Sequence, residues 1–296
     1  MVLAGAMAPG VTPAQEWARA ALDKSPRHGE YVTIQEAGGR RLQAWVVYPE
    51  VSRKAPVVVM VHEIFGLSDW AREMADQIAA AGYIVVEPDL LSELGPPSAV
   101  AVSSPAAAGS AAGSASMQMP ESATGAPFVA AKPGGTAAFP NQDAVVKAVS
   151  SLPDAQIVSD LNAAADYGKS LPASNGKVNV AGFCWGGGES FLFATRRHDL
   201  SAAFVFYGPP PPASSMGEIT APVYGFYAGN DARITATVPQ TVQDMKAAGK
   251  LYQPVIYPGA GHGFMRAGEA PDASAANAAA QKKGMLRLLR LLSNNG

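Results

Sequence analysis

The run Pro56-Val57-Val58-Val59-Met60-Val61-His62 constrains the fold more than any other stretch of the chain. It is β-branched and apolar without a polar break, which suits a strand covered on both faces, and a parallel sheet flanked by helices is its natural host. From Ser68, a good N-cap, Trp70, Met74 and Ile78 recur every four residues with Ala71 and Ala75 beside them, and Gly82 follows as a helix stop. A strand at 83–87 then completes a strand–helix–strand unit. The order repeats downstream: helices at 141–151 and 154–170, a strand at 177–183, a helix at 186–198, strands at 202–207 and 223–227, a helix at 237–249, a strand at 253–257 and a last helix within 273–292. Strands alternating with helices predict an α/β fold with a doubly wound, mostly parallel sheet and helices on both faces. Ahead of it, residues 31–37 and 41–49, joined by Gly38-Gly39, read as an N-terminal β-hairpin.

A chain of 296 residues, 48% hydrophobic and with a formal charge of −2, has the composition of one globular domain, and no charged linker divides it. That domain is expected over 31–296. Residues 1–30 are set apart as an extension, because 1–10 are apolar with small-x-small patterns but lack a basic start; they fit either a trimmed signal remnant or a frayed tail. Export to a periplasm and a cytoplasmic location both stay open. Residues 98–140 are rich in Ala, Gly, Ser and Pro, with Glu121 and Lys132 as their charges. Such an insertion cannot bury enough apolar surface to offset its ordering entropy, so a long loop is expected, either a lid or plain filler.

Near-neutral charge without a basic block leaves no electrostatic footprint for nucleic acid or an anionic membrane, and no apolar run reaches about 18 residues. The expected partner is a small molecule. A single cysteine excludes an internal disulfide and a multi-thiolate metal site built by this chain alone. Cys184 is therefore either a buried filler or a reagent.

Its surroundings favour the reagent. Gly182-Phe183-Cys184-Trp185-Gly186 sits where a strand ends and a helix begins, the Gly-x-nucleophile-x-Gly arrangement with Cys in the nucleophile's place. Glycines on either side relieve collisions at a strained turn, and the helix N-terminus favours thiolate. Asp231 follows the strand at 223–227, and His262 follows the strand at 253–257 in Gly259-Ala260-Gly261-His262-Gly263-Phe264. Nucleophile, acid, histidine is the chain order of an α/β-hydrolase triad, and all three fall at the carboxyl edge where sites form in open α/β sheets. His28 and His198 have no such context. His62-Glu63-Ile64-Phe65-Gly66 follows the buried strand at the same edge, which is where the second oxyanion N–H arises; Ile64 and Trp185 are the candidate donors. His62 beside Glu63 is a poor metal pair, because adjacent strand residues face opposite sides and no other ligand cluster accompanies them.

Together these segments, with Glu87-Pro88-Asp89-Leu90 and Ala260-Gly261-His262-Gly263-Phe264-Met265-Arg266, resemble the dienelactone hydrolase family from about Val57 to the C-terminus, interrupted by the insertion. The resemblance implies an α/β-hydrolase fold, no cofactor, and a Cys184–His262–Asp231 triad. It also implies that Glu63 hydrogen-bonds the resting thiol and helps to deprotonate it when substrate arrives. In that family two arginines hold a substrate carboxylate. Arg266 matches the second, whereas the first falls at or near Glu93, whose charge would repel a carboxylate, so a preference for neutral esters or lactones is expected. Arg233, two residues past Asp231, could supply the missing cation or form a surface ion pair instead. Phe65 and Phe264, within the matching motifs, are the remaining candidate substrate contacts. The expected activity is ester or lactone hydrolysis through a cysteine thioester. The rival from another class is a non-hydrolytic protein of the same fold, a binding module or a redox-active thiol protein using Cys184 alone.

Overall fold

The alternating pattern is realised as one mixed sheet between two helical layers. The structure, a computed structural model, describes residues 15–95 and 134–295. Within them the chain runs α1 (Glu16–Leu22), β1 (Gly29–Gln35), β2 (Arg41–Val47), β3 (Ala55–Val61), α2 (Asp69–Ala80), β4 (Ile84–Pro88), α3 (Gln142–Val149), α4 (Asp154–Ser170) and β5 (Ser174–Phe183). It continues with α5 (Trp185–Ala194), β6 (Leu200–Phe206), β7 (Val223–Ala228), α6 (Ala232–Thr235), α7 (Val238–Ala247), β8 (Tyr252–Tyr257), α8 (Phe264–Ala267) and α9 (Ala275–Asn295). The strand order is β1-β2-β4-β3-β5-β6-β7-β8, antiparallel from β1 to β4 and parallel from β4 to β8.

β3 shows why its sequence tolerates no polar residue. Val57, Val59 and Val61 enter a core completed by Ile157 and Leu161 of α4, whereas Val58 and Met60 enter the opposite core with Trp70, Met74 and Ile78 of α2 and Leu288 and Leu292 of α9. Each such side chain removed from water stabilises by about 1.5–3 kcal/mol, on both faces at once. The helix signals act locally as the sequence suggests. Ser68 Oγ accepts the Ala71 N–H at the start of α2, and Gly82 takes φ +98° past its end. α5 stops at Ala194, short of residue 198, because Thr195 Oγ1 bonds the Leu192 carbonyl and Arg197 turns to pair with Asp166 and Asp199.

Two segments set apart in the sequence take part in this packing. α1 lies within the presumed extension; Ala18 is buried against the α2 layer and Gln15 Oε1 accepts the Trp70 backbone N–H at 2.7 Å. Residues 1–14, including the signal-like stretch, lie outside the described residues, as do 98–133 of the insertion. Residues 134–140 are described: Thr136, in a 3-10 turn at Thr136–Ala138, accepts the Leu67 N–H on Oγ1 and donates to both oxygens of Asp89. Among the described residues no helix is long and apolar enough to cross a membrane.

Candidate active site

Parallel strands deliver their C-terminal ends to one edge of the sheet, and five of them place a chemically distinctive residue there. Glu63 follows β3, Cys184 follows β5, Tyr207 follows β6, Asp231 follows β7 and His262 follows β8. Cys184 is the N-cap of α5 with φ 57° and ψ −118°, a conformation a non-glycine residue holds only when its surroundings impose it. The imposition is visible at the neighbouring glycines. A methyl group on Gly182 would collide with the Gly186 carbonyl oxygen, and one on Gly186 would collide with the carbonyl oxygens of His62 and Val61.

The turn presents Cys184 Sγ to His262 Nε2 at 3.1 Å, and His262 Nδ1 lies 2.5 Å from Asp231 Oδ2. With Nδ1–H donated to the carboxylate, Nε2 is left as an acceptor for the thiol proton. Asp231 is buried and also caps α6 by accepting the Ile234 N–H. Backbone N–H groups of Trp185 and Ile64 hydrogen-bond to the sulfur and pull its pKa down, but burial and the nearby Glu63 carboxylate outweigh them, and the thiol is pushed up to about 11. The helix N-terminus thus does not produce a resting thiolate; desolvation wins.

Glu63 differs from what the resemblance implies. Its Oε2 accepts from Arg266 Nε at 2.8 Å and its Oε1 accepts from the Tyr207 hydroxyl at 3.3 Å, so its influence on the sulfur is through space rather than through a hydrogen bond. Burial pushes the Glu63 carboxyl upward while Arg266 pulls against it. Tyr207 went unmarked in the sequence, although it ends a strand at the same carboxyl edge. It is fully buried, has φ 41°, and packs edge-on against His262 with ring centres 5.1 Å apart.

A cavity of about 210 Å³ opens onto Cys184, His262, Ile64, Trp185 and Tyr207. The candidate substrate residues are placed unevenly around it. Arg266 is committed to Glu63 and stacks over Phe65 at 5.0 Å, and neither residue lines the cavity. Phe264 is completely buried between Tyr207 and Tyr257, packing beneath the site rather than facing it. Glu93 does not line the cavity either: its carboxylate pairs with Arg41 of β2 at 2.9 Å. Arg233 does line it, and without an ion-pair partner among the described residues; so does Glu189, whose position on α5 carries no motif. His62 is buried, donating Nδ1–H to the Glu63 carbonyl and stacking on Trp185. No cluster of three or more metal-holding side chains occurs among the described residues. A wider groove of about 550 Å³ between β1 and α4 holds none of the triad residues.

The comparisons with known proteins bear on the family and the fold. A carboxymethylenebutenolidase of Pseudomonas putida is 27% identical over 259 residues, covering 86% of this chain and 93% of that protein. Two solved structures share the fold. One, from Klebsiella pneumoniae and assigned as a dienelactone hydrolase, superposes with a TM-score of 0.68 at 24% identity, over 89% of this chain and 97% of its own. The other, a dienelactone hydrolase-like promiscuous phosphotriesterase from metagenomic libraries, has a TM-score of 0.65 at 20% identity, over 91% of this chain and 98% of its own. The dienelactone hydrolase family model matches residues 42–295, a span that holds β3 to β8 and every residue of the candidate site. The chain is an α/β-hydrolase-fold enzyme acting on esters or lactones, and it belongs to the dienelactone hydrolase family.

Proposed function

We propose that this hydrolase works through a thioester on Cys184. The observation that carries the reading is the continuous relay from Sγ to His262 to Asp231, at 3.1 and 2.5 Å, on the wall of a substrate-sized cavity. His262 Nε2 takes the thiol proton as Sγ bonds to the substrate carbonyl carbon. The oxygen of the tetrahedral adduct receives hydrogen bonds from the Ile64 and Trp185 N–H groups, already aimed at the sulfur. Collapse breaks the acyl carbon–oxygen bond, and His262 passes its proton to the leaving alkoxide, which in a lactone stays tethered to the acyl chain. Water then gives a proton to His262 and attacks the thioester; the acid departs and Sγ recovers its proton. Asp231 fixes the tautomer and supports the imidazolium.

Glu63 suits a nucleophile kept as a thiol until substrate arrives. A redox role for Cys184 would call for a stabilised thiolate, and a thiol pushed up to about 11 favours the hydrolytic reading. Hydrolysis of 4-nitrophenyl acetate tests it. Alkylation by iodoacetamide and Cys184→Ala should each abolish turnover with the fold retained by circular dichroism, and His262→Ala should lose at least about two orders of magnitude. Undiminished turnover after alkylation or in Cys184→Ala would remove Cys184 from the mechanism.

A further inference from the structure

β3 ends at Val61, and the next residue, His62, is polar yet completely buried. Burial pushes its pKa below the ordinary histidine value, against the pull of Asp89 and of the Glu63 carbonyl, so the ring is neutral and carries one proton. A carbonyl oxygen can only accept, and the 2.8 Å bond between Nδ1 and the Glu63 carbonyl therefore places that proton on Nδ1. The same oxygen accepts the Gly66 N–H at 3.0 Å, which occupies both of its lone pairs. This carbonyl belongs to the Glu63–Ile64 peptide, whose other end is the Ile64 N–H. A trans peptide is planar with its C=O and N–H pointing in opposite directions, so anchoring the oxygen aims the N–H, here at Cys184 Sγ. His62 also meets the carrier of the second donor. Its ring stacks on that of Trp185, with centres 5.7 Å apart and planes 21° from parallel, and its backbone carbonyl lies so close to Gly186 that a methyl group there would collide with it.

Resting on the thioester reading above, we infer that His62 is a positioning residue of this reaction: through Nδ1–H it holds the Glu63–Ile64 peptide in the orientation that stabilises the oxyanion. The Gly66 bond closes the turn, but a single bond lets the peptide plane tilt about it, and a second donor from another direction removes that freedom. Donors aimed in advance cost no reorganisation as charge develops on the substrate oxygen. A misaimed N–H loses most in the adduct, where that oxygen is charged, and least in the bound ester. His62 does not line the cavity, so its effect passes through the peptide it holds.

The test compares His62→Phe, which keeps a ring to stack on Trp185 but has no N–H, with His62→Asn, which keeps an N–H near the place of Nδ1 but has no ring. His62→Leu replaces Phe where Phe disturbs folding. Three readouts are taken on the full chain: turnover of 4-nitrophenyl acetate, inhibition by trifluoroacetone, and the rate of alkylation by iodoacetamide. With trifluoroacetone, Sγ bonds to the ketone carbon, the thiol proton passes to His262, and the carbonyl oxygen becomes an alkoxide facing the two N–H groups; nothing leaves. Alkylation displaces iodide and builds no oxyanion. In His62→Phe, kcat/KM should fall by about tenfold, mostly in kcat, which is less than the loss of about 10²–10³ that follows complete removal of an oxyanion donor. The inhibition constant of trifluoroacetone should rise by a similar factor, while alkylation stays within about threefold of wild type. His62→Asn should keep kcat within about threefold. A folded His62→Phe or His62→Leu with wild-type kcat, an Asn variant as slow as Phe, or an alkylation rate that falls as far as kcat would overturn the role of His62. Wild-type turnover that depends on Cys184 reports the thioester reading separately. If it holds while His62→Phe is unimpaired, the assignment of His62 alone falls; if wild-type turnover survives alkylation of Cys184, both fall.

Discussion

At Cys184 the N-terminus of α5 and two backbone N–H groups act against burial and the Glu63 carboxylate, and the second pair prevails. Glu63→Gln removes the opposing charge and leaves Arg266 uncompensated nearby, and both changes favour thiolate. The pH midpoint for alkylation by iodoacetamide should therefore fall by about one unit or more in Glu63→Gln, the usual effect of removing a like charge a few ångströms away. An unchanged midpoint would detach Glu63 from the sulfur. Which residues share this edge was legible in the sequence, because strand ends and chain order determine it: Cys184, His262, Asp231, Glu63, Ile64 and Trp185 do lie together. Which way each side chain turns was not. Phe264 and Glu93 sit in or beside the matching motifs, yet one packs beneath the site and the other pairs with Arg41; such orientations depend on partners far away in sequence. Glu189 and Tyr207 were hidden for the same reason, since neither occupies a motif position.

The helices are tied together by carboxyl groups that the sequence presents as ordinary surface charges. Glu73 of α2 is buried, its carboxyl is held by Gln77, and Gln77 also donates to Glu269 at the end of α8, which in turn accepts from Trp70 and from Gln281 of α9. Burial first, and the neighbouring Glu269 second, push Glu73 up to about 8. Its folded value lies above the unfolded one, so its contribution to stability is complete below about pH 4.5 and is lost as pH rises through about 8. Tm should decline across that window, and Glu73→Gln, which cannot ionise, should flatten the decline. A mutant profile parallel to wild type would exclude Glu73 as the source. Strand positions were far easier to foresee, because a strand buried on both faces must be an apolar run, whereas α1 is short, contains Glu16 and Arg19, and owes its place to Ala18 and Gln15 meeting α2. Helix α5 likewise ended early for a reason invisible to periodicity, the pairing of Arg197 with two aspartates.

On the scale of the whole molecule, the return from the insertion clamps the loop that carries Glu63 and Ile64. Asp89, after β4, accepts the Thr136 N–H at 2.8 Å and its hydroxyl at 2.9 Å, while Thr136 Oγ1 accepts the Leu67 N–H at 3.0 Å. Gly66, at φ +71°, packs so closely on Thr136 that a methyl group there would collide with the threonine side chain. Thr136 is thus a positioning residue: it joins the β3–α2 loop to the β4 end, and through that loop it bears on the Ile64 N–H at the sulfur. Two shortened chains separate this clamp from the rest of the insertion. Both carry the same short Gly/Ser linker, one replacing 98–133 and the other 98–140. The second loses the Thr136 bonds and leaves Asp89 Oδ2 without its donor, while Oδ1 keeps the Leu91 N–H, so it should be less stable than the first by about 1–3 kcal/mol. Its kcat for 4-nitrophenyl acetate should fall more than its KM rises, because a displaced Ile64 N–H weakens the adduct more than the ground state. Thr136→Val in the full-length chain removes the hydroxyl alone and should reproduce the kcat effect in part. Identical Tm and kcat for the two shortened chains would show that the loop keeps its place without Thr136.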